Sequence, residues 1–297
     1  MKKLILSAVA ASLLLSCGAV AKEQAAKDAT VAQVNKIAVN NAKEDARNHP
    51  AKLVGEAIES LKLAQKAVIA LEHKDAKSAK EDLEKALGKL EVILASKDAP
   101  KLLPIDNIVQ VQEFVGTAAD VENIVKHAKS LLDDGKVQEA RALLIPLVSE
   151  IDITVVNLPL ASYPDALKLA AKYVNEGKTE EAKKVLYIAL STFTQVTEVV
   201  PIPLLESTDL IAAASRIAKE DKARALKYLD AASDALDVAE KLGYVSESAT
   251  TYKMLHDQIK AVEKEIKGKN KAEKLFEELA AKLKEFKSKI ISSKESK

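Results

Sequence analysis

An apolar periodicity typical of α-helices runs through most of this chain and stops in the stretch Ser149–Pro164, SEIDITVVNLPLASYP. β-Branched side chains, which are stiff at χ1 and favour an extended backbone, crowd its first half at Ile151, Ile153, Val155 and Val156. Pro159 and Pro164 follow, and each disfavours a helical conformation in the residue before it. The stretch therefore predicts a buried connector or a short strand, with a helix that restarts at Pro164.

Two further segments carry a related pattern, namely Pro100–Val115 and Phe193–Leu205. In the second, FTQVTEVVPIPLL, β-branched residues again run into two prolines, Pro201 and Pro203. The three segments could pair as a small sheet among the helices. Extended runs covered on both faces by helices would leave the same pattern, so both interpretations stay open.

Outside these segments, amphipathic helical stripes occupy the chain, and a short motif recurs between them. Asp134-Gly135-Lys136 leads to Ala140 in the same way that Glu176-Gly177-Lys178 leads to Ala182. Glycine is a natural left-handed cap after a helix, and a small alanine five residues later lets the next helix fold back closely. Degenerate copies place Ala79 five residues after Lys74 and Ala225 five after Glu220. The predicted fold class is mainly α, an irregular array of antiparallel helical hairpins with a few short extended or β segments.

The first residues have the pattern of a secretory leader. Lys2-Lys3 precedes an apolar run from Leu4 to Leu15, and Ala19-Val20-Ala21 forms a small-x-small cleavage site. We expect a periplasmic protein that begins at Lys22, with Cys17 lost in the leader. The alternative is a lipoprotein, in which Cys17 is lipidated and retained.

The predicted divisions are a signal peptide at 1–21, a helical domain at 22–266 and a basic amphipathic C-terminal helix at 267–297. The last segment has ten lysines against five glutamates. Such a helix can lie on an anionic membrane, dock a partner helix, or pack its apolar stripe on the body of the protein.

Composition excludes several kinds of partner. The chain has 45 basic and 44 acidic residues, so no overall field directs it to nucleic acid. Aromatic residues make up only 3% and tryptophan is absent, which argues against sites that work by ring stacking.

No motif for catalysis, cofactor or metal binding is found. The eight glycines are too far apart for a glycine-rich phosphate loop, and the four histidines lack the spacing of a helical zinc site. His127 shares the apolar stripe of Ile124 and Leu131, which suggests a possible pH-sensing role. A neutral histidine held in the core by one hydrogen bond would give the same pattern.

Several of these stretches together resemble the YfdX family of bacterial secreted proteins: KALGKLEVIL at Lys85–Leu94, SEI at Ser149–Ile151 with LPLASYP at Leu158–Pro164, EGKTEEA at Glu176–Ala182, VVPIPLL at Val199–Leu205 and AEKLGY at Ala239–Tyr244. The likeness covers roughly Ala51–Ile266. It implies a helical, periplasmic protein associated with stress, acid stress included, and it brings no catalytic residue with it.

We therefore predict a non-enzymatic binding protein whose proline-rich connectors organise an apolar surface for a partner chain or a small amphipathic ligand, with a homo-oligomer as a further possibility. The candidate binding residues are Leu158, Leu160, Tyr163, Phe193 and Ile202. The alternative is a hydrolase-like enzyme with dispersed active-site residues. A clustered set of His, Asp or Glu around a deep pocket would favour the enzyme, and a broad apolar groove would favour binding.

Overall fold

The fold is given by a computed structural model that describes residues 29–47, 54–97, 99–268 and 272–290. Within these ranges the chain is mainly α with a small three-stranded sheet, so the predicted fold class is confirmed. The helices α1 to α11 are Val31–Arg47, Val54–Glu72, Ala76–Leu94, Ala118–Asp133, Val137–Leu144, Tyr163–Asn175, Thr179–Ser191, Ile202–Ile217, Lys222–Lys241, Tyr252–Lys267 and Glu273–Ser288. The strands β1 to β3 are Leu102–Gln112, Glu150–Pro159 and Thr194–Pro201. The predicted signal peptide lies outside the described residues.

The three interruptions of the helical pattern pair with one another in an antiparallel sheet of order β1-β2-β3. The Thr154 and Thr197 hydroxyls share a hydrogen bond of 2.8 Å across β2 and β3. The prediction of a small sheet is thus confirmed over the alternative of isolated extended runs. One boundary differs, because VVPIPLL is divided between the end of β3 and the start of α8, where Pro203 lies in the first helical turn. A missing N–H costs no hydrogen bond in that turn.

The described chain divides into two compact units. Unit 1 holds residues 29–47, 109–153, 198–268 and 272–290, and unit 2 holds residues 54–97, 99–108 and 154–197. Each strand begins in one unit and ends in the other.

Unit 2 is built from α2, α3, α6 and α7, and each of these helices packs on two of the others. Its core alternates large leucines with alanines that are fully buried, among them Ala64, Ala79, Ala170 and Ala182. Alanine leaves room for neighbouring helices to approach closely, so the larger side chains interdigitate at the density of a protein interior. Burial of these apolar faces is the main favourable contribution to the stability of the unit.

In unit 1, α8 lies at the centre and packs against α1, α9 and α11. Ten of the sixteen residues of α8 are buried, which explains why it shows almost no amphipathic pattern. The C-terminal helix α11 buries Phe276, Leu279, Leu283 and Phe286 in the same core. The described part of the predicted tail therefore packs its apolar stripe on the body of the protein, which is one of the three alternatives given above.

Side chains of the AEKLGY motif and of the residues after it join the loop before α10 to β2, and join α10 to α11. The Tyr244 hydroxyl donates to Glu150 Oε2 at 2.9 Å and accepts from the Ser149 N–H at 3.0 Å. The Tyr252 hydroxyl donates to the Tyr244 carbonyl at 2.8 Å, and its ring meets Phe286 edge to face. This network explains why the motif ends in tyrosine, because only an aromatic ring with a polar tip both fills the core and reaches β2.

The recurring turn motif has the predicted geometry. Gly135 and Gly177 have φ of +75° and +72°, and Lys74, at the matching place in a degenerate copy, has φ of +60°. The alanines that follow, Ala79, Ala140, Ala182 and Ala225, are all completely buried.

Two glycines of unit 2 offer a matched test of backbone conformation. A Cβ would meet no atom within 4 Å at either Gly88 or Gly177, so steric clash does not distinguish them. Gly177 has a positive φ, and we expect Gly177→Ala to lower the free energy of unfolding by about 1 kcal/mol. Gly88 lies inside α3, and Gly88→Ala should raise it by about 0.5–1 kcal/mol. Urea unfolding followed by circular dichroism measures both, and shifts of the same sign would contradict the assignment of the left-handed turn.

Candidate ligand-binding groove

A groove of about 420 Å³ lies between α6 and α7 in unit 2. Its lining comes from the end of β2, the first two turns of α6 and the last two turns of α7. The lining residues are Pro159, Ser162, Tyr163, Asp165, Ala166, Leu169, Val185, Ile188, Ala189 and Thr192.

The local sequence explains why a groove forms at this place. The turn at Gly177 brings α6 and α7 together as an antiparallel hairpin, and the Lys178 N–H donates to the Tyr173 carbonyl at 2.9 Å. At the other end of the hairpin, the facing positions Ala166 and Ala189 are small. A small side chain on each helix leaves a depression between the larger residues that flank it.

The walls of the groove are apolar and open to solvent. Leu169 on α6 is 40% exposed, and Ile188 on α7 is 65% exposed. Val185 lies half-buried beside them. A single exposed apolar residue is ordinary, but apolar residues that face one another across a groove form a surface that gains free energy when a ligand covers it.

The end of the groove next to β2 is polar. Ser162, Asp165 and Thr192 lie there, all three exposed. The Thr192 hydroxyl donates to the Ile188 carbonyl at 2.6 Å, and Lys168 Nζ lies 3.9 Å from Asp165 Oδ1. The groove therefore offers hydroxyl groups and one carboxylate at one end, and apolar walls along the rest.

Tyr163 lies beneath the groove and belongs to the core. It is only 2% exposed, and burial raises the pKa of its hydroxyl, an effect that the neighbouring Ser60 hydroxyl reduces. The two hydroxyls do not reach hydrogen-bond geometry, since the Tyr163 oxygen has no partner within bonding range and the Ser60 hydroxyl donates to the Ala86 carbonyl at 3.0 Å. Tyr163 supports the floor, and its hydroxyl is closed off from solvent.

Comparison with known proteins gives a family for this part of the chain. Residues 60–199 match the sequence profile of the family described as YfdX protein. Residues 60–199 belong to the YfdX family. This YfdX segment contains the whole groove, from Pro159 to Thr192.

A solved structure of YfdX from Salmonella Typhi is similar to this chain at 16% sequence identity. The match covers 52% of this chain and 98% of that one, with a TM-score of 0.36. No curated protein matches the chain.

The residues predicted to bind a ligand are mostly core residues. Leu158, Leu160 and Tyr163 are buried together in the core of the YfdX segment, and Phe193 packs against that core while partly buried. Ile202 is 1% exposed and lies in unit 1, beyond the end of the segment. Tyr163 does not offer its ring to a ligand as a binding residue would, because α6 begins at Tyr163 and turns the ring inward, where it is 2% exposed.

Sequence reasoning missed Asp165, Leu169 and Ile188. A signal for the last two exists, since each is a large apolar residue one position away from a buried alanine, Ala170 or Ala189. Successive helical residues point about 100° apart, so both fall on the flank of the buried stripe. Leu169 and Ile188 differ from scattered exposed residues because they lie on facing flanks of the two helices of one hairpin.

The pH-sensing hypothesis for His127 is not supported. The buried residues of α4 are Val121, Ala128 and Leu131, and His127 is exposed. Its position next to Ala128 turns it about 100° away from that line, to the edge of the stripe. Charging an exposed histidine would not bury a charge, so the packing change that the hypothesis requires does not follow.

One arrangement in unit 1 bears on the enzyme alternative. Ser233 Oγ and His256 Nδ1 share a hydrogen bond of 2.8 Å, and His256 Nε2 lies 3.2 Å from Asp237 Oδ1. These are the side chains of a Ser-His-Asp hydrolase, but Ser233 lies in the interior of α9, where backbone N–H groups bond within the helix. No such donor is free to hold an oxyanion beside this serine. The contacts join α9 to α10.

Metal ligands and membrane spans can be judged only for the part of the chain that the structure covers. No three His, Cys, Asp or Glu side chains there form a group that could hold a metal ion. None of the described helices is both long enough and apolar enough to cross a membrane.

Proposed function

We propose that this protein binds a small amphipathic molecule in the groove between α6 and α7. The observation that carries the proposal is the combination of an apolar groove of about 420 Å³ with polar groups confined to one end. Ligand sites in proteins are concave, mostly apolar and about 300–1,000 Å³ in volume, with a few polar groups that fix orientation. The volume of the groove falls within this range, and its lining is likewise mostly apolar with a few polar groups.

A small ligand fits this groove better than a partner chain does. A stable protein interface buries about 800 Å² on each partner, whereas the groove spans only two turns on each of two helices. The walls rise on both sides of small residues, which encloses a narrow chain or ring system on more than one face. A molecule with an apolar body and one polar end would cover Leu169 and Ile188 while keeping its polar group solvated.

We place this binding in the periplasm as part of the same proposal. The support is the leader-like pattern of residues 1–21 and the YfdX membership of residues 60–199. The proposal includes the role in stress that the resemblance described above implies. In that role, the groove would serve to remove or to store an amphipathic molecule.

The test uses an apolar fluorescent probe, N-phenylnaphthylamine, whose emission rises in an apolar environment. We expect the probe to bind the wild-type chain and Ile188→Asp to weaken that binding at least about tenfold, because a charge would replace an apolar wall. Ile188 is 65% exposed, so the variant should keep the stability of the wild type within about 0.5 kcal/mol.

A matched control is available on α2. Ile69 is 53% exposed in the same unit but does not line the groove. Ile69→Asp introduces the same charge at a similar exposure and should leave probe binding unchanged. If both variants lose binding equally, or neither does, the groove is not the binding site.

A further inference from the structure

The groove has a direction, because its polar and apolar residues separate along the helix axes. On α6, Ser162 and Asp165 come before Leu169, and on α7, Thr192 comes after Ile188 and Val185. Since the two helices are antiparallel, the polar residues of both lie at the β2 end and the large apolar residues extend away from it. From Ser162 to Leu169 the lining covers about 10 Å of helix at 1.5 Å per residue.

We infer that the ligand bound in this groove carries a cationic group, which lies at the β2 end beside the Asp165 carboxylate. This inference rests on the proposed function and adds the charge and the orientation of the ligand. The rest of the lining consists of apolar residues, hydroxyl groups and one proline, so Asp165 is the sole charged residue among those that line the groove.

Two nearby positive charges weaken this preference without reversing it, because only the helix dipole is fixed in place and the Lys168 side chain is exposed and free to move away. Asp165 lies in the first turn of α6, where the helix dipole supplies roughly half a positive charge, which is less than the full charge of a carboxylate. Lys168 Nζ is 3.9 Å from Asp165, but both side chains are more than half exposed. An exposed ion pair of this kind contributes little stability, so a bound cation can replace the lysine.

Orientation follows from the same residues. With the cationic group beside Asp165, the Ser162 and Thr192 side-chain oxygens lie at the same end and can accept hydrogen bonds from an ammonium group. The apolar body then lies between Leu169 and Ile188. A ligand of opposite polarity would set a carboxylate next to Asp165, and a ligand turned end for end would leave its charged group against the apolar walls.

The experiment compares three molecules with the same alkyl chain, decylamine, decanol and decanoate, as competitors of bound N-phenylnaphthylamine at pH 7. We expect decylamine to displace the probe at about fivefold lower concentration than decanoate, with decanol between them. In Asp165→Asn the difference between decylamine and decanoate should shrink to less than about twofold, while decanol competes as in the wild type. The preference should also weaken between about 20 mM and about 300 mM salt, as an exposed charge interaction does.

Two variants serve as controls. Glu81→Gln removes one exposed carboxylate from α3 in the same unit, outside the groove, and should leave the preference intact. Lys168→Ala removes the competing cation and should increase the preference for decylamine over decanoate.

The outcomes separate the two proposals. If no competitor displaces the probe in any variant, or if the probe does not bind, the proposed function fails. If all three molecules compete equally in the wild type, or if the preference survives in Asp165→Asn, the groove binds amphipathic molecules without regard to charge and the inference about the cationic group fails.

Discussion

Replacing Tyr163 with alanine should lower the free energy of unfolding by about 3–5 kcal/mol, the usual cost of removing a large aromatic ring from a packed core. The side chain is 2% exposed and is among the largest fully buried side chains of the described chain. It packs in unit 2 with Leu158, Leu160 and Leu167, so its loss would leave a cavity that the surrounding helices cannot fill. Urea unfolding followed by far-ultraviolet circular dichroism measures the change.

Tyr163→Phe separates the ring from its hydroxyl. The hydroxyl is buried without a hydrogen-bond partner, so its removal should be neutral or stabilise the protein by up to about 1 kcal/mol. Probe binding should be retained in Tyr163→Phe, because the ring that supports the groove floor remains. A Tyr163→Ala variant that loses less than about 1 kcal/mol would show that the ring is not a core element.

Glu206 on α8 should make the stability of the protein depend on pH, and Glu206→Gln should raise the free energy of unfolding by about 2 kcal/mol at pH 8. Burial, with a smaller contribution from the nearby Glu113 carboxylate, raises the pKa of Glu206 to about 7. The ordinary value for glutamate is 4.5. The expected gain in the free energy of unfolding is smaller than the whole pKa shift would give, because the Glu206 side chain is only partly buried.

The sign of the pH dependence follows from proton binding. Above pH 7 Glu206 is ionised in both the folded and the unfolded state, and the folded state carries the full cost of a half-buried charge. Between about pH 7 and 4.5 the folded state binds a proton that the unfolded state does not, so the free energy of unfolding rises as the pH falls. Below that window the cost is absent. Burial also raises the pKa values of other carboxyl groups in unit 1, which adds to the same trend: Glu198, Asp234 and Glu263.

The measurement compares wild type and Glu206→Gln by urea unfolding at several pH values. The two should converge near pH 4 and differ most at pH 8. Glu113→Gln removes the neighbouring negative charge and should give a smaller gain at pH 8, whereas Glu81→Gln on α3 should give none. Equal curves for wild type and Glu206→Gln across this range would mean that Glu206 is solvated in the folded state.

The sequence predicted the helical hairpins well because their signals are local. Gly135 and Gly177 mark turns that need a positive φ, and the buried alanines five residues later mark where the next helix packs. The β-branched runs before Pro159 and Pro201 predicted extended segments for an equally local reason, the restriction of χ1 and φ. In each case the conformational preference belongs to a few neighbouring residues.

The sequence predicted which part of the chain holds the candidate site, but it did not predict which residues form the exposed walls. Tyr163 and the residues before it were selected for their apolar character, yet apolar character does not say which residues are covered. Tyr163 lies in the core because α6 begins at that residue. The exposed walls are formed by Leu169 and Ile188, and the small residues Ala166 and Ala189 between them open the groove. His127 failed in the same way, because its exposure depends on the rotation of α4 against the helices that it packs on.

By itself, the sequence determined the mainly α class, the places of the three strands, the turns of the hairpins and the resemblance to the YfdX family. These follow from backbone preferences and from the order of short motifs along the chain. The tertiary structure alone decided that α6 and α7 leave a groove, that Asp165 is the charged residue of its lining, and that Glu206 is partly buried. Burial and electrostatic environment are properties of atoms that meet from distant parts of the chain, so no local pattern encodes them.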